Sequence, residues 1–132
     1  MSVITRLNPD TLHKNPAFTQ IAIVSQSAKL VYVGGQNAVN AKGEVVGEDI
    51  ATQSVQAYKN VLTALEAAGA TMADVFKMTI YMVQGQSFGE GFKAIMPLID
   101  PNVPPPTVSG MMVVGLANPK YLIEIEAVAA ID

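Results

Sequence analysis

Two carboxylates sit inside one of the most apolar stretches of the chain. In Leu122-Ile123-Glu124-Ile125-Glu126-Ala127-Val128, Glu124 and Glu126 alternate with Ile123, Ile125 and Ala127. In an extended strand both acids, with Leu122 and Val128, then point to one face and Ile123, Ile125 and Ala127 to the other. An ionised carboxylate in apolar surroundings costs several kcal/mol unless it is paired or exposed, so the acidic face must meet water, a cation or a ligand. If helices cover the opposite face, this one is free to line a subunit interface, where a carboxylate can hold a water or act as a general base. Lys77 and Lys120 are the candidate ion-pair partners, and a plain ion pair is the structural alternative to a catalytic role.

Other chemistries are poorly provided for. His13 is the only histidine, which excludes a metal site built on several imidazoles and would force a Ser/His/Asp triad to use a residue of the N-terminal loop; it reads as a solvated loop histidine. The chain has no cysteine, which removes disulfide frameworks and thiolate metal sites, and no cofactor or metal is expected. Gly34-Gly35 has neither the spacing of a dinucleotide fingerprint nor the lysine of a phosphate loop. The pair reads as a strand end where a bulge or a neighbouring backbone comes close, with amides that could also face a ligand. The seven methionines, Met111-Met112 among them, read as flexible filler of a core or an interface.

The elements that position these residues belong to a chain of 132 residues and 13.9 kDa, read as one domain over 1–132. With 8 Lys+Arg against 11 Asp+Glu, a net charge of -3 and a pI near 5.0, it lacks the basic footprint that grips phosphate backbones, and nucleic acid is not an expected partner. Half of the residues are hydrophobic and only 14% are charged, against about 25% in a typical soluble domain. Either a membrane or other copies of the chain must then cover part of the surface. The richest apolar run, Gly110 to Ala117, is half of the roughly 18–20 residues a spanning helix needs, so the oligomer is favoured. Residues Met1 to Asn15 carry no apolar core of a signal peptide, which points to the cytoplasm.

Along the chain, apolar residues from Gln20 to Val33 cluster around the break Ser25 to Lys29, as two short strands joined by a turn, the second ended by Gly34-Gly35. Asn40 to Gly43 reads as a turn with Gly43 at positive φ. Asp49 offers a helix N-cap and Gly69 a left-handed stop; between them Ile50, Val55, Tyr58, Val61, Leu62 and Leu65 form one apolar stripe on a helix about five turns long. Val75 to Val83 has strand composition, and Phe88 to Ile99 returns to helical spacing with Pro97 forcing an early irregularity. Four prolines between Asp100 and Pro106 make an extended entry to the last two strands, Val108 to Leu116 and Tyr121 to Ala130, joined by an Asn118-Pro119 turn. The order strand, strand, helix, strand, helix, strand, strand predicts an α+β fold with two helices on one face of a sheet.

Taken together, Tyr32-Val33-Gly34-Gly35-Gln36, Gly43-Glu44-Val45-Val46-Gly47, Gln53, Asn60-Val61-Leu62, Leu65-Glu66-Ala67-Ala68-Gly69, Val75-Phe76-Lys77 and Ile123-Glu124-Ile125-Glu126-Ala127-Val128-Ala129 resemble the Rid (YjgF-like) family, in order from about Asn15 onward. The resemblance implies a chorismate-mutase-like mixed sheet with two helices packed on one face, assembled as a homotrimer with ligand clefts between subunits. It also implies kinship with imine and enamine deaminases that hydrolyse 2-aminoacrylate. Their mechanism centres on an arginine in a Pro-x-Arg segment before the penultimate strand, a fork that clamps the substrate carboxylate as lysine cannot. Here that segment reads Pro104-Pro105-Pro106-Thr107-Val108-Ser109-Gly110, and depending on register the arginine position falls on Thr107, Val108 or Ser109.

The chain has a single arginine, Arg6, in the leader before those strands. Phe18 stands where active relatives tend to carry a tyrosine, while Glu124 matches the glutamate thought to position the attacking water. The resemblance therefore implies ligand-binding residues at Phe18, Gly35, Gln36, Thr107, Val108 and Ser109, with Glu124 as the catalytic carboxylate. Losing a charged hydrogen-bond partner costs a few kcal/mol, enough to erase useful affinity for a small carboxylate. The expectation is a trimer that binds a small uncharged or amine-bearing metabolite between subunits, without arginine-dependent deamination. A hydrolase or deaminase of another small substrate, with Glu124 as base and Thr107 or Ser109 as donor, is the alternative, and a scaffold with a vestigial cleft is a third reading. The ribonuclease label sometimes attached to such proteins fits poorly with an acidic chain holding one arginine and one histidine.

Overall fold

In the computed structural model, which describes residues 2–132, the chain runs β1 (Ile4–Leu7), β2 (Ile21–Val24), β3 (Lys29–Gln36), α1 (Ile50–Ala67), β4 (Val75–Val83), α2 (Phe88–Ile95), β5 (Thr107–Val113) and β6 (Ile123–Ile131). Single 3-10 turns at Met72–Asp74 and Met96–Leu98 follow the two helices. The helices form for the local reasons visible in their sequences. The Asp49 side chain accepts from Thr52 N at 2.8 Å and starts α1; Gly69, at φ 76°, ends it. Ser87 caps α2 through Glu90 N, and Pro97 turns its last residues into the 3-10 turn. No helix is long and apolar enough to cross a membrane among the described residues.

Four strands form a mixed sheet in the order β3-β6-β4-β5, with β6 antiparallel to both β3 and β4, and β5 parallel to β4. Both helices pack on one of its faces. The apolar side of α1 (Ala57, Val61, Leu65) meets Val33, Val75, Ile125, Ala127 and Ala129 in one core. Burying such residues contributes about 1.5–3 kcal/mol for each large aliphatic side chain.

Three expectations need correction. The leader holds an additional strand, β1, which pairs antiparallel with β2; Ser25–Ala28 does turn between β2 and β3, but those two strands are not partners. The last two strands are joined through the expected turn, with Tyr121 N donating to the Asn118 carbonyl, but lie on either side of β4, to which β5 is parallel and β6 antiparallel. Gly34-Gly35 does not end β3: the strand continues to Gln36 through an irregularity between Val33 and Gln36.

Candidate functional site

Along β6 burial alternates strictly from Ile123 to Ala129, so Glu124 and Glu126 share the face turned away from the helices. Their surroundings are polar without being cationic. Asn37 Nδ2 donates to the Ile123 carbonyl at 2.9 Å and to Glu124 Oε1 at 3.3 Å, and is itself placed by α1, whose Asn60 Nδ2 donates to the Asn37 carbonyl at 3.0 Å. On the other flank Tyr81, the β4 partner of Glu124, donates its hydroxyl to Glu126 Oε1 at 2.9 Å. That bond, then burial and the two carboxylate charges, pushes the Tyr81 phenol up from its ordinary range. Gly35 lies against the Glu124 carboxyl group, where a Cβ would collide with it.

Lys77 and Lys120 do not pair with these acids: the single ion pair among the described residues is the exposed Lys14–Asp10 contact. Lys77 stands at the Thr107 and Val128 end of β4, too far along the strand, and Lys120 lies in the turn before β6, where its carbonyl accepts from Gln53.

The expected ligand-binding residues divide between the two sheet faces. Gly35 is beside Glu124, and Ser109, the β5 partner of Thr79, is exposed on that same face. Gln36, paired with Ile125, donates its side-chain amide to the Gly34 carbonyl and so shapes the bend at the end of β3. Thr107 spends its hydroxyl on the Phe76 carbonyl at 2.7 Å. Phe18 and Val108 are on the helix side, where they line a cavity of about 660 Å³. Thr19 ties the segment after Phe18 to the proline run that also lines the cavity, donating its backbone N–H to the Pro106 carbonyl and its hydroxyl to the Pro105 carbonyl, at 2.8 and 2.6 Å. Within one protomer the structure thus brings together Glu124 and Gly35 and, separately, Phe18 and Val108.

Arg6 belongs to neither group. Its Nη2 donates to the carbonyls of Ala73 and Val75 at 3.0 and 3.1 Å, and burial lowers its pKa against the opposing charge of Asp74. His13 is in an exposed loop, edge-on to Phe18 with ring centroids 5.5 Å apart. Asn37 and Tyr81 are site residues that sequence patterning does not signal. Asn37 is a loop residue that reaches back to β6 from outside any periodic pattern, and Tyr81 is defined by strand register, which composition does not encode.

Two helices covering one face of a mixed sheet, with a carboxylate-bearing face left open, define a YjgF-like α+β fold. The chain belongs to the family described as Endoribonuclease L-PSP, whose model matches residues 11–131, and thereby to the Rid group that its motifs resemble. The crystal structure of YyfB from Yersinia pestis, of the Rid protein family, is similar with a TM-score of 0.86 and 32% identity over 98% of this chain and 100% of that one. A RutC family protein of Pyrococcus horikoshii is 33% identical over 66 residues, 49% of this chain and about half, 52%, of that protein. The 2-iminobutanoate/2-iminopropanoate deaminase of Salmonella typhimurium is 36% identical over 53 residues, 40% of this chain and 41% of that protein.

Proposed function

We propose that this protein is a cytoplasmic homotrimer that binds a small metabolite in clefts between its subunits and lacks arginine-dependent imine or enamine deamination. The observation that carries the reading is the position of Arg6. It is the only arginine in the sequence, and both carbonyls that hold it lie at the start of β4. Val75 is six residues along β4 from Tyr81, the strand partner of Glu124, roughly 20 Å at 3.3 Å per residue. Within a protomer no guanidinium is therefore at hand to fork onto a carboxylate beside Glu124. The division of site residues supports a shared cleft: Glu124 and Val108 are on opposite faces of one sheet, so the two groups can meet only between copies. Exposed Leu30, Tyr32 and Met111 on the acidic face offer the apolar surface such an assembly would cover.

The alternative, a hydrolase or deaminase of another small substrate, is favoured by the setting of Glu124. Its carboxylate is oriented by Asn37 and no cation neutralises it, as a base that takes a proton from water requires. Ser109 is the hydroxyl left for a donor role, since Thr107 is engaged with Phe76. The Salmonella relative carries a deaminase name, which fits this class of chemistry.

Wild type and Glu124→Gln, assayed with 2-aminoacrylate and with a panel of imines, amides and lactams, test both readings. Background hydrolysis of 2-aminoacrylate is expected, and turnover rivalling arginine-bearing relatives would overturn the proposal. Turnover of a panel member that vanishes in Glu124→Gln would establish the alternative. Sedimentation should give about three times the 13.9 kDa chain mass, and a mass near one chain contradicts the shared cleft.

A further inference from the structure

The cavity on the helix side is unlike the carboxylate face in its chemistry. Its floor is Met78, Ile80 and Met82 of β4, its walls are Tyr58 of α1 with Phe88 and Phe92 of α2, and Phe18 and Val108 complete this part of the lining. Only Ser54, Tyr58 and Asp100 contribute polar side chains to the lining, and none is cationic. At about 660 Å³ it falls within the 300–1,000 Å³ typical of small-molecule sites, and such sites are mostly apolar with a few placed polar groups.

Two polar side chains there have no hydrogen-bond partner among the described residues. Tyr58 as a whole residue is 3% exposed, its side chain lines the cavity, and its hydroxyl donates to no protein group among the described residues. A phenol set in apolar walls normally has a partner, and the Tyr58 hydroxyl, which is not among the polar atoms sealed off without one, can take its partner from the cavity. The apolar walls supply none. Ser54 Oγ is likewise buried without a partner, under Gly91, where α1 and α2 come so close that a Cβ on Gly91 would lie 2.8 Å from that oxygen. Tyr58 is therefore the donor available to an occupant.

We infer that this cavity binds a small uncharged molecule with an apolar body and one hydrogen-bond acceptor, such as a ketone, ester or amide, which takes the Tyr58 hydroxyl. The inference rests on the small-molecule reading above and assigns its ligand class at the Phe18–Val108 end. A carboxylate is excluded from this end by the same inventory, because it would enter an apolar chamber that offers no positive charge and has Asp100 in its lining.

Three molecules of nearly equal shape discriminate these claims: 4-phenyl-2-butanone, butylbenzene and 3-phenylpropanoate. Methionine methyl groups labelled with carbon-13 give a local readout, since Met72, Met78 and Met82 line the cavity whereas Met111 and Met112 are exposed on β5. Saturable shifts of Met78 and Met82 with the ketone, and at least tenfold weaker binding of the carboxylate, are expected. Tyr58→Phe should weaken the ketone about fivefold and leave butylbenzene unchanged, the size of one neutral hydrogen bond. Val108→Phe, with its melting temperature measured alongside, should weaken all three by taking up cavity volume. Absence of saturable shifts, equal binding of the carboxylate, or shifts confined to Met111 and Met112 would overturn the inference. So would methyl groups that respond only after the assembly is dissociated, which would give the cavity to a second copy. The sedimentation mass and Glu124-dependent turnover test the earlier reading separately, so failure here with those intact falls on the ligand class alone.

Discussion

Glu124 occupies the space that a side chain on Gly35 would take: a Cβ built on Gly35 would lie 2.6 Å from the Glu124 carboxyl carbon. The glycine is needed for room and not for backbone freedom, because its φ is not positive. Gly35→Ala should displace the carboxylate and destabilise the fold by about 1–3 kcal/mol, the usual cost of overpacking. In a double-mutant cycle with Glu124→Ala the two losses should fall short of additive by about 1 kcal/mol, as for residues in contact. Additive losses would show that the carboxylate moves aside freely.

The phenol of Tyr81 donates to Glu126, and the bond together with the nearby negative charges favours its protonated form. A folded pKa above the ordinary 10.0 stabilises the protein below that value and loses the contribution as pH rises through the folded pKa. Melting temperatures measured from pH 8 upward, at about half-unit steps, should therefore fall more in wild type than in Tyr81→Phe. Parallel curves would remove the bond from the energetics of the site.

At acid pH the sign reverses. Hydrogen bonds from Thr52 hold Asp49 below its ordinary 3.8, so its contribution is present above that value and is lost as pH falls through the lower, folded one. Asp49→Asn keeps a capping oxygen but no charge. Wild type should melt higher at neutral pH and converge with the variant as pH falls through the lowered, folded pKa. A difference that persists there would mean the charge is not what matters.

Gln53, 1% exposed, satisfies three backbone groups that come from outside its helix. Its Nε2 donates to the carbonyls of Gly47 and Lys120 at 3.0 and 2.8 Å, and its Oε1 accepts from Leu122 N at 2.9 Å. Gln53→Leu keeps the volume but orphans all three, at a cost of about 3 kcal/mol and ~10 °C in Tm. Because the Lys120 and Leu122 groups flank the start of β6, the loss should appear as faster amide exchange at Leu122. Exchange unchanged there would contradict the tether.

Arg6 holds the carbonyls of Ala73 and Val75 and is placed far from the carboxylate face. Arg6→Ala should lower stability by about 1–2 kcal/mol, since charge-assisted bonds at a partly exposed site are screened. Ligand affinity at the cleft should not change. A specific loss of turnover with normal stability would make Arg6 part of the chemistry and overturn the proposed function.

The elements that could be read in advance are those with local causes. The cap at Asp49, the stop at Gly69, the turn at Gly43 with φ 81° and the break at Pro97 each depend on residues within a few positions. The strand Val75–Val83 and the common face of Glu124 and Glu126 follow from composition and alternation of the same kind. Strand β1 escaped notice because four residues carry too weak a pattern, and they become a strand only by pairing with β2.

Sequence alone determined the α+β class, the two helices, the acidic face of the last strand and the presence of a single arginine. Tertiary structure decided which strand lies beside which, that Tyr81 and Asn37 rather than lysines flank the acids, and that Phe18 and Val108 open onto a chamber on the opposite side. The physical reason is range. Helix caps and strand alternation are settled by neighbours in the chain, whereas sheet order, register and the empty volume between layers come from residues tens of positions apart.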